Sequence, residues 1–393
     1  MSFNIWTDCP RVPITQLLEF IVDNRGKTVP TAPTGRKLIA TNCVTNNTLF
    51  PVYEKVRYLS DETYRTWFRA HPLPGDILFV NKGTPGRVCM VPDPVDFCIA
   101  QDMIALRADD SKIYNKYLFA VLRSSEIQKQ IYNTNVGDVI PHFKKQFMDQ
   151  LLIPVPEKKI QEAVGDLYYS LSYKIEHNKK INDNLQQQAA ALFANFYGQA
   201  ETEVGFTEII QILGGGTPKT GESSYWNGNV PFFTPKDVGL PYTLTTEKTI
   251  TEEGLTHCNS RLYPINTVFV TARGTVGKVG LSGVPMAMNQ SCYALVGKDT
   301  HQLLVYFYTL KAVDRLKHKA SGAVFDAITI RDFESEIISK LSDNDAKAFL
   351  DIAEPIYQAI LSNSIENLRL AALRDSLLPK LMSGEIDVSG IQL

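Results

Sequence analysis

The sequence predicts an α+β protein: two similar, mixed, strand-rich globular domains separated by two long antiparallel helices that form a coiled-coil spacer, with pseudo-two-fold symmetry. Three observations predict it. A short device, Gly-Thr-x-Gly-cation-Val, stands in "NKGTPGRVCM" (Asn81 to Met90) and again in "ARGTVGKVGL" (Ala272 to Leu281). Its opening glycines, Gly83 and Gly274, lie 191 positions apart in a chain of 393 residues. Around the device other stretches recur in the same order, and each half closes on a long tail of helical periodicity.

The ordered matches fix the repeat. An amphipathic segment running into a Gly/Thr/Pro turn appears as "ITQLLEFIVDNRGKTVPT" (Ile14 to Thr31) and as "FTEIIQILGGGTPKT" (Phe206 to Thr220). "LIATNCV" (Leu38 to Val44) then answers "FFTPKDV" (Phe232 to Val238), and "AQD" (Ala100 to Asp102) stands against "MNQ" (Met288 to Gln290). Further on, "VGDVIPHFKKQFM" (Val136 to Met148) matches "SGAVFDAITIRDFE" (Ser321 to Glu334), and "NDNLQQQAAAL" (Asn182 to Leu192) matches "IENLRLAALRD" (Ile365 to Asp375). Six matches in one order mark a tandem duplication of a unit of about 190 residues. That is too long for a solenoid repeat and large enough for each copy to bury a core.

Within each copy, short β-branched and aromatic runs such as "DILFVNK" and "NTVFVTA", bounded by Pro/Gly turns, read as strands. The globular parts are expected at residues 1–155 and 200–341, the helices at 156–199 and 342–383, and a C-terminal tail at 384–393. Along the first tail the apolar stripe falls at Val164, Leu167, Leu171, Ile175, Ile181, Leu185, Ala189, Leu192 and Phe196, with Asn178 in the one vacant place. Along the second it falls at Phe349, Ile352, Ile356, Ile360, Leu368, Leu373 and Leu377, and Pro355 predicts a kink or a late start. Gly198 stands at the C-terminal cap of the first. Each stripe needs a partner, and the other helix is the obvious one, with Asn178 fixing register. Two similar readers held apart by such a rod fit duplex DNA, which offers inverted half-sites at defined spacing.

Bulk properties allow this and exclude little else. The chain is 44% hydrophobic and 21% charged, with a formal net charge of −2 that supplies no global attraction to nucleic acid. Any such contact must be local. No apolar run is long enough for a bilayer and no secretion signal is visible, so a cytoplasmic location without membrane contact is expected. Six scattered cysteines, with no Cys-x-x-Cys and no His at ligand spacing, read as reduced thiols and not as a metal site. "RGKT" (Arg25 to Thr28) ends like a P-loop, but Ile21 stands where its first glycine belongs. No Asn/Asp-Pro-Pro-aromatic motif, cofactor-type glycine loop or His triad is present, so catalysis in this chain is not expected.

Certain stretches resemble a known family. "GGGTPKTGESSYWNGNVPFFTPKDV" (Gly214 to Val238), "GTVGKV" (Gly274 to Val279), "NQSCYAL" (Asn289 to Leu295) and the closing "LRDSLLPKLMSGEIDV" (Leu373 to Val388) look like the target-recognition pattern of type I restriction–modification specificity subunits. The resemblance covers essentially the whole chain. It is looser in the first half, where "RGKTVPT" (Arg25 to Thr31) replaces the Gly-Thr-Pro. It implies two target recognition domains, each reading one part of a bipartite, asymmetric double-stranded DNA site. It also implies helices that set the spacing and dock two methyltransferase (modification) subunits, with a restriction/translocase subunit joining for cleavage. The chain itself then carries no cofactor; S-adenosylmethionine and ATP with Mg belong to those partners.

Candidate DNA-contacting residues follow from chemistry. Two glycines let each device turn tightly, and the flanking cations, Lys82 and Arg87 or Arg273 and Lys278, suit a phosphate or a guanine edge. A plain solvated hairpin is the bland alternative. Asp237 beside Lys236 is suited to accept from cytosine or to cap a turn; Asn289 and Gln290 pair bidentately with adenine or satisfy backbone. Arg36, Lys37 and Asn42 flank the matching strand in the first copy. Thr84 and Thr275 inside the loops, with Thr217 and Lys219 in the Gly-Thr-Pro-Lys stretch, complete the set. The competing functions are a self-contained methyltransferase or nuclease with degenerate motifs, and a protein-only scaffold.

Overall fold

The computed structural model describes residues 3–24, 26–134, 141–239, 241–319 and 327–387. The segments around Gly137 and Gly322, paired in the repeat, lie outside the described residues. The chain divides into two compact units, residues 1–178 with 367–393, and residues 179–366.

The first unit contains β1 (Arg11–Pro13), β2 (Leu18–Val22), β3 (Arg36–Ile39), β4 (Arg57–Leu59), β5 (Ile77–Val80), β6 (Val88–Met90), β7 (Phe97–Ile99), β8 (Met103–Ala108) and β9 (Leu152–Pro154). One sheet runs β2-β8-β5-β6 and a second β4-β3-β7, while β1 pairs with β9. Strand β5 shows why its sequence, ILFV, is apolar throughout instead of alternating. Ile77 and Phe79 join a core with helix Asn115–Arg123, while Leu78 and Val80 pack on the opposite face beside Phe97 and Ile99.

The second unit contains β10 (Thr202–Gly205), β11 (Ile210–Gly214), β12 (Trp226–Phe233), β13 (Tyr242–Thr243), β14 (Lys248–Ile250), β15 (Val268–Thr271), β16 (Val279–Ser282), β17 (Ala287–Met288), β18 (Cys292–Gly297) and β19 (Ile337–Lys340). Its sheets run β11-β18-β15-β16-β13 and β14-β12-β17, with β10 paired to β19. The duplication is visible in the pairings. The antiparallel hairpin β5/β6 has its counterpart in β15/β16, and the parallel pair β3/β7 in β12/β17.

Two long helices, Lys158–Gln199 and Asp343–Ser383, contribute to both units. In each unit they run antiparallel. In the first, Tyr168 of one lies beneath the Arg374 guanidinium of the other, and Asn178 Nδ2 donates to Asn367 Oδ1 at 3.0 Å. In the second, Asn363 Nδ2 donates to Asn182 Oδ1 at 2.8 Å, and Phe193 meets Phe349 with ring centroids 5.4 Å apart. The amide pairs are equivalent at an offset of 185, since Asn363 follows Asn178 and Asn367 follows Asn182 by that number, which shifts the match of "NDNLQQQAAAL" to "IENLRLAALRD", made at 183, by two residues. Each unit thus carries one copy of a single polar lock.

The apolar stripe needs correcting in phase. Val164, Ile175, Phe349 and Ile360 are buried, and Asn178 is buried beside them, but Ile181 is 36% exposed, Ile352 51%, Leu368 43% and Leu373 46%. Leu167, Leu171, Leu185, Leu192, Ile356 and Leu377 are half-buried. The inward places belong instead to Tyr168, Ser172, Asn182 and Phe193 on the first helix, and to Ala353, Tyr357, Arg374 and Leu378 on the second. A stripe chosen by hydrophobicity slides past buried Ser, Asn and Arg, and here polar groups share the seam. The second helix starts at Asp343 and continues as one element through Pro355, so the late start is not found.

Candidate nucleic-acid interface

The two glycine devices fold alike. In the first, Val80 N–H donates to Arg87 O at 2.9 Å and Gly86 N–H to Val80 O at 3.0 Å; in the second, Thr271 N–H donates to Lys278 O at 3.0 Å and Gly277 N–H to Thr271 O at 2.8 Å. All four glycines have positive φ: +87° and +88° at Gly83 and Gly86, +83° and +73° at Gly274 and Gly277. That conformation is why glycine recurs. The two glycines of each device nevertheless do different work. A Cβ on Gly86 would fall 2.9 Å from Gln128 Oε1, and one on Gly277 would fall 2.5 Å from Lys317 Cε, so the second glycine lets the turn lie against a helix. Gly83 and Gly274 face open space or, for Gly274, only Pro235 at 3.8 Å. Lys82, Arg87, Arg273 and Lys278 are exposed beside them, with Thr275 exposed and Thr84 half-buried.

In the second unit the fold collects three separate sequence signals around one groove of about 450 Å³, lined by Thr234, Pro235, Lys236, Glu247, Lys248, Gly274, Thr275 and Asn289. Lys236 reaches Glu247 at 3.6 Å, and the Lys248 ammonium lies 5.6 Å from the Trp226 ring centre. The carboxylate of Asp237 is turned inward. It accepts from Thr234 N–H at 2.8 Å, Thr234 hydroxyl at 2.6 Å and Glu247 N–H at 2.7 Å, which shapes the loop that carries Lys236. Asn289 Oδ1 accepts from Ser291 N–H at 3.0 Å, and Gln290 Oε1 accepts from the Thr217 hydroxyl. Two of the three consecutive glycines have a packing cause: a Cβ on Gly215 would lie 2.2 Å from Asn289 O, and one on Gly216 2.6 Å from Asn259 N. Lys219 is exposed, and its carbonyl accepts from the Trp226 indole at 3.3 Å.

The first unit places its cations differently. Arg36 bonds Asp61 at 2.8 Å and stacks over Tyr64, 4.1 Å from the ring centre. Lys37 is paired with Asp96 and sits over Tyr53 at 4.2 Å. The Asp61 hydrogen bond raises the Arg36 pKa. Burial alone would raise the Asp96 carboxyl, but hydrogen bonds from Lys37 and Tyr53 hold it below the ordinary range. Asn42 donates its amide to Glu54 O.

Backbone hydrogen bonds also correct the repeat register by one residue. Asn81 and Lys82 N–H both reach Asp102 O, whereas Ala272 and Arg273 N–H both reach Ser291 O. Ala100 N–H bonds Ile39 O just as Asn289 N–H bonds Phe233 O, both at 3.0 Å. The match "AQD" to "MNQ" therefore shifts: Ala100 is the counterpart of Asn289, and Gln101 of Gln290. Sequence comparison missed this because the intervening loops differ in length.

No group of three or more His, Cys, Asp or Glu among the described residues is arranged to hold a metal ion, and no described helix is long and apolar enough to cross a membrane. Burial pushes the Cys98 and Cys292 thiols up to about 12, which leaves them poor nucleophiles.

The fold is thus one of duplicated strand-rich units with exposed cationic glycine turns and shared long helices. The chain belongs to the family "Type I restriction modification DNA specificity domain", whose profile matches residues 30–187 and 202–367, and is a non-catalytic DNA specificity subunit of a type I restriction–modification system. It is 24% identical over 400 residues to the type I restriction enzyme HindI specificity subunit of Haemophilus influenzae, covering 79% of this chain and 86% of that one. Over 124 residues it is 32% identical to the MjaIX specificity subunit of Methanocaldococcus jannaschii, covering 30% and 29% of the two chains. The crystal structure of the type I S subunit from M. genitalium shares the fold, with a TM-score of 0.57 at 16% identity over 94% of this chain and 95% of that one.

Proposed function

We propose that each unit of this specificity subunit reads one part of a bipartite, asymmetric DNA target, and that the two long helices set the spacing and dock two methyltransferase subunits. The observation that carries this is one backbone frame presenting different side chains in the two units. Where the second unit has Lys236 and Asn289, the first has Asn42 and Ala100. Identical frames with different contact chemistry read different bases. The seam between the helices uses polar amides, which select a register in place of maximal stability. Chemistry is left to the partners: S-adenosylmethionine to the methyltransferase subunits, ATP with Mg to a restriction/translocase subunit. The cytoplasm, where the DNA and the partners are, is the expected location.

The test assembles the chain with its methyltransferase subunits and maps methylated sites. The expected result is a split, non-palindromic motif, bound with an affinity that falls steeply as salt rises. A perfectly palindromic site, or methyl transfer by the lone chain, refutes the proposal.

A further inference from the structure

We infer that the groove of the second unit recognises the major-groove edge of guanine, and that Asn289 is its specificity-determining residue. This rests on the DNA-reading function proposed above and names the base class for one half of the target. Asn289 lines the groove together with Lys236, Lys248 and Thr275. Its amide orientation is set by chemistry, because Ser291 presents a backbone N–H at 3.0 Å that only the carbonyl oxygen can accept. The acceptor end of Asn289 is thereby used inside its own turn. The Nδ2 donors make no hydrogen bond among the described residues and are the end left for a ligand.

Pairing with adenine needs both ends of an Asn amide, the oxygen for N6–H and the nitrogen for N7. Here the oxygen already spends one of its two lone pairs on Ser291 N–H, whereas both nitrogen donors are unengaged among the described residues, so donation to an acceptor edge is favoured over the two-ended adenine pairing. The other groups around the groove are the Lys236 and Lys248 ammoniums and the Thr275 hydroxyl, and the one carboxylate, Glu247, is paired with Lys236. Two ammoniums against one carboxylate leave the lining net cationic, which favours an edge of acceptors. Guanine, with O6 and N7, is the one base that offers two acceptors and no donor or methyl group there. The backbone equivalent of Asn289 in the first unit is Ala100, which has no donor to offer, so the preference is confined to the second half of the target.

The assembled methyltransferase complex tests this through mapped methylation sites and competition binding. Asn289→Asp keeps the acceptor that the Ser291 N–H needs, and hence the turn, but removes both donors; Asn289→Ala copies the first unit. Both variants are expected to relax a single guanine position in one half of the motif and to leave the other half unchanged. A duplex carrying 7-deazaguanine at that position, which lacks N7, is expected to bind the parent complex about tenfold more weakly and the Asn289→Asp complex no differently. If the relaxed position is adenine, or if both variants keep the full motif, the assignment is overturned while the DNA-reading function stands. If the parent complex binds DNA without sequence preference, the function itself fails along with the assignment.

Discussion

Phe193 gives the sharpest test of how the long helices are packed. It is 1% exposed, and its ring lies 4.8 Å from Phe307, 5.4 Å from Phe349, 5.7 Å from Tyr308 and 5.4 Å from Tyr197. Its neighbour Leu192, the residue that periodicity puts in the seam, is half-buried. Truncating a fully buried Phe costs about 3–5 kcal/mol, and four rings that cannot all collapse into the space favour the upper half of that range. Truncating a half-buried Leu costs about 1 kcal/mol. With a urea m-value of about 2 kcal/mol per molar, Phe193→Ala should lower the unfolding midpoint of the second unit by about 2 M and Leu192→Ala by about 0.5 M. Of the three tryptophans, Trp226 belongs to this unit and Trp6 and Trp67 to the other. Fluorescence in a Trp6→Phe/Trp67→Phe background therefore reports on it alone. Equal midpoint shifts, or a larger one for Leu192→Ala, would refute the seam described here.

Other outcomes follow from the same structure. Asn178→Ala removes the hydrogen bond to the half-buried Asn367 side chain and should cost about 1 kcal/mol in thermal or urea unfolding, whereas the double change Asn178→Leu/Asn367→Leu should recover most of that loss. In salt titrations of DNA binding by the assembled complex, Lys248→Ala should flatten the log–log slope by about 0.9, while Lys236→Ala, Arg36→Ala and Lys37→Ala, already paired with Glu247, Asp61 and Asp96, should each change it by less than half as much. Gly215→Ala drives a Cβ to 2.2 Å from Asn289 O and should cost about 1–3 kcal/mol of stability in the second unit. Site mapping of that variant should show degraded specificity in one half of the motif only. Asp76→Ala removes a carboxylate that receives two 2.9 Å bonds from Arg107 and one at 2.8 Å from Leu73 N–H, and should destabilise the first unit by about 2–3 kcal/mol.

The amino-acid order alone determined the duplication and the likeness to specificity subunits, which are matters of matching stretches, and the glycine turns and two long helices, which rest on backbone requirements that particular residues meet locally. Glycine at positive φ, β-branched runs between turns and long stretches without helix breakers are legible without partners. Tertiary structure decided what depends on neighbours distant in sequence. It placed Phe193 and Asn182 inward instead of Leu192 and Ile181, since a seam can bury an amide once another amide faces it. It drew Asp237 into its own turn and tied Arg36 and Lys37 to carboxylates. It moved the counterpart of Asn289 from Gln101 to Ala100, because hydrogen-bond register, unlike letter matching, is insensitive to loop length. Residue type tells which contacts a side chain can make; the fold tells which of its atoms are already spoken for.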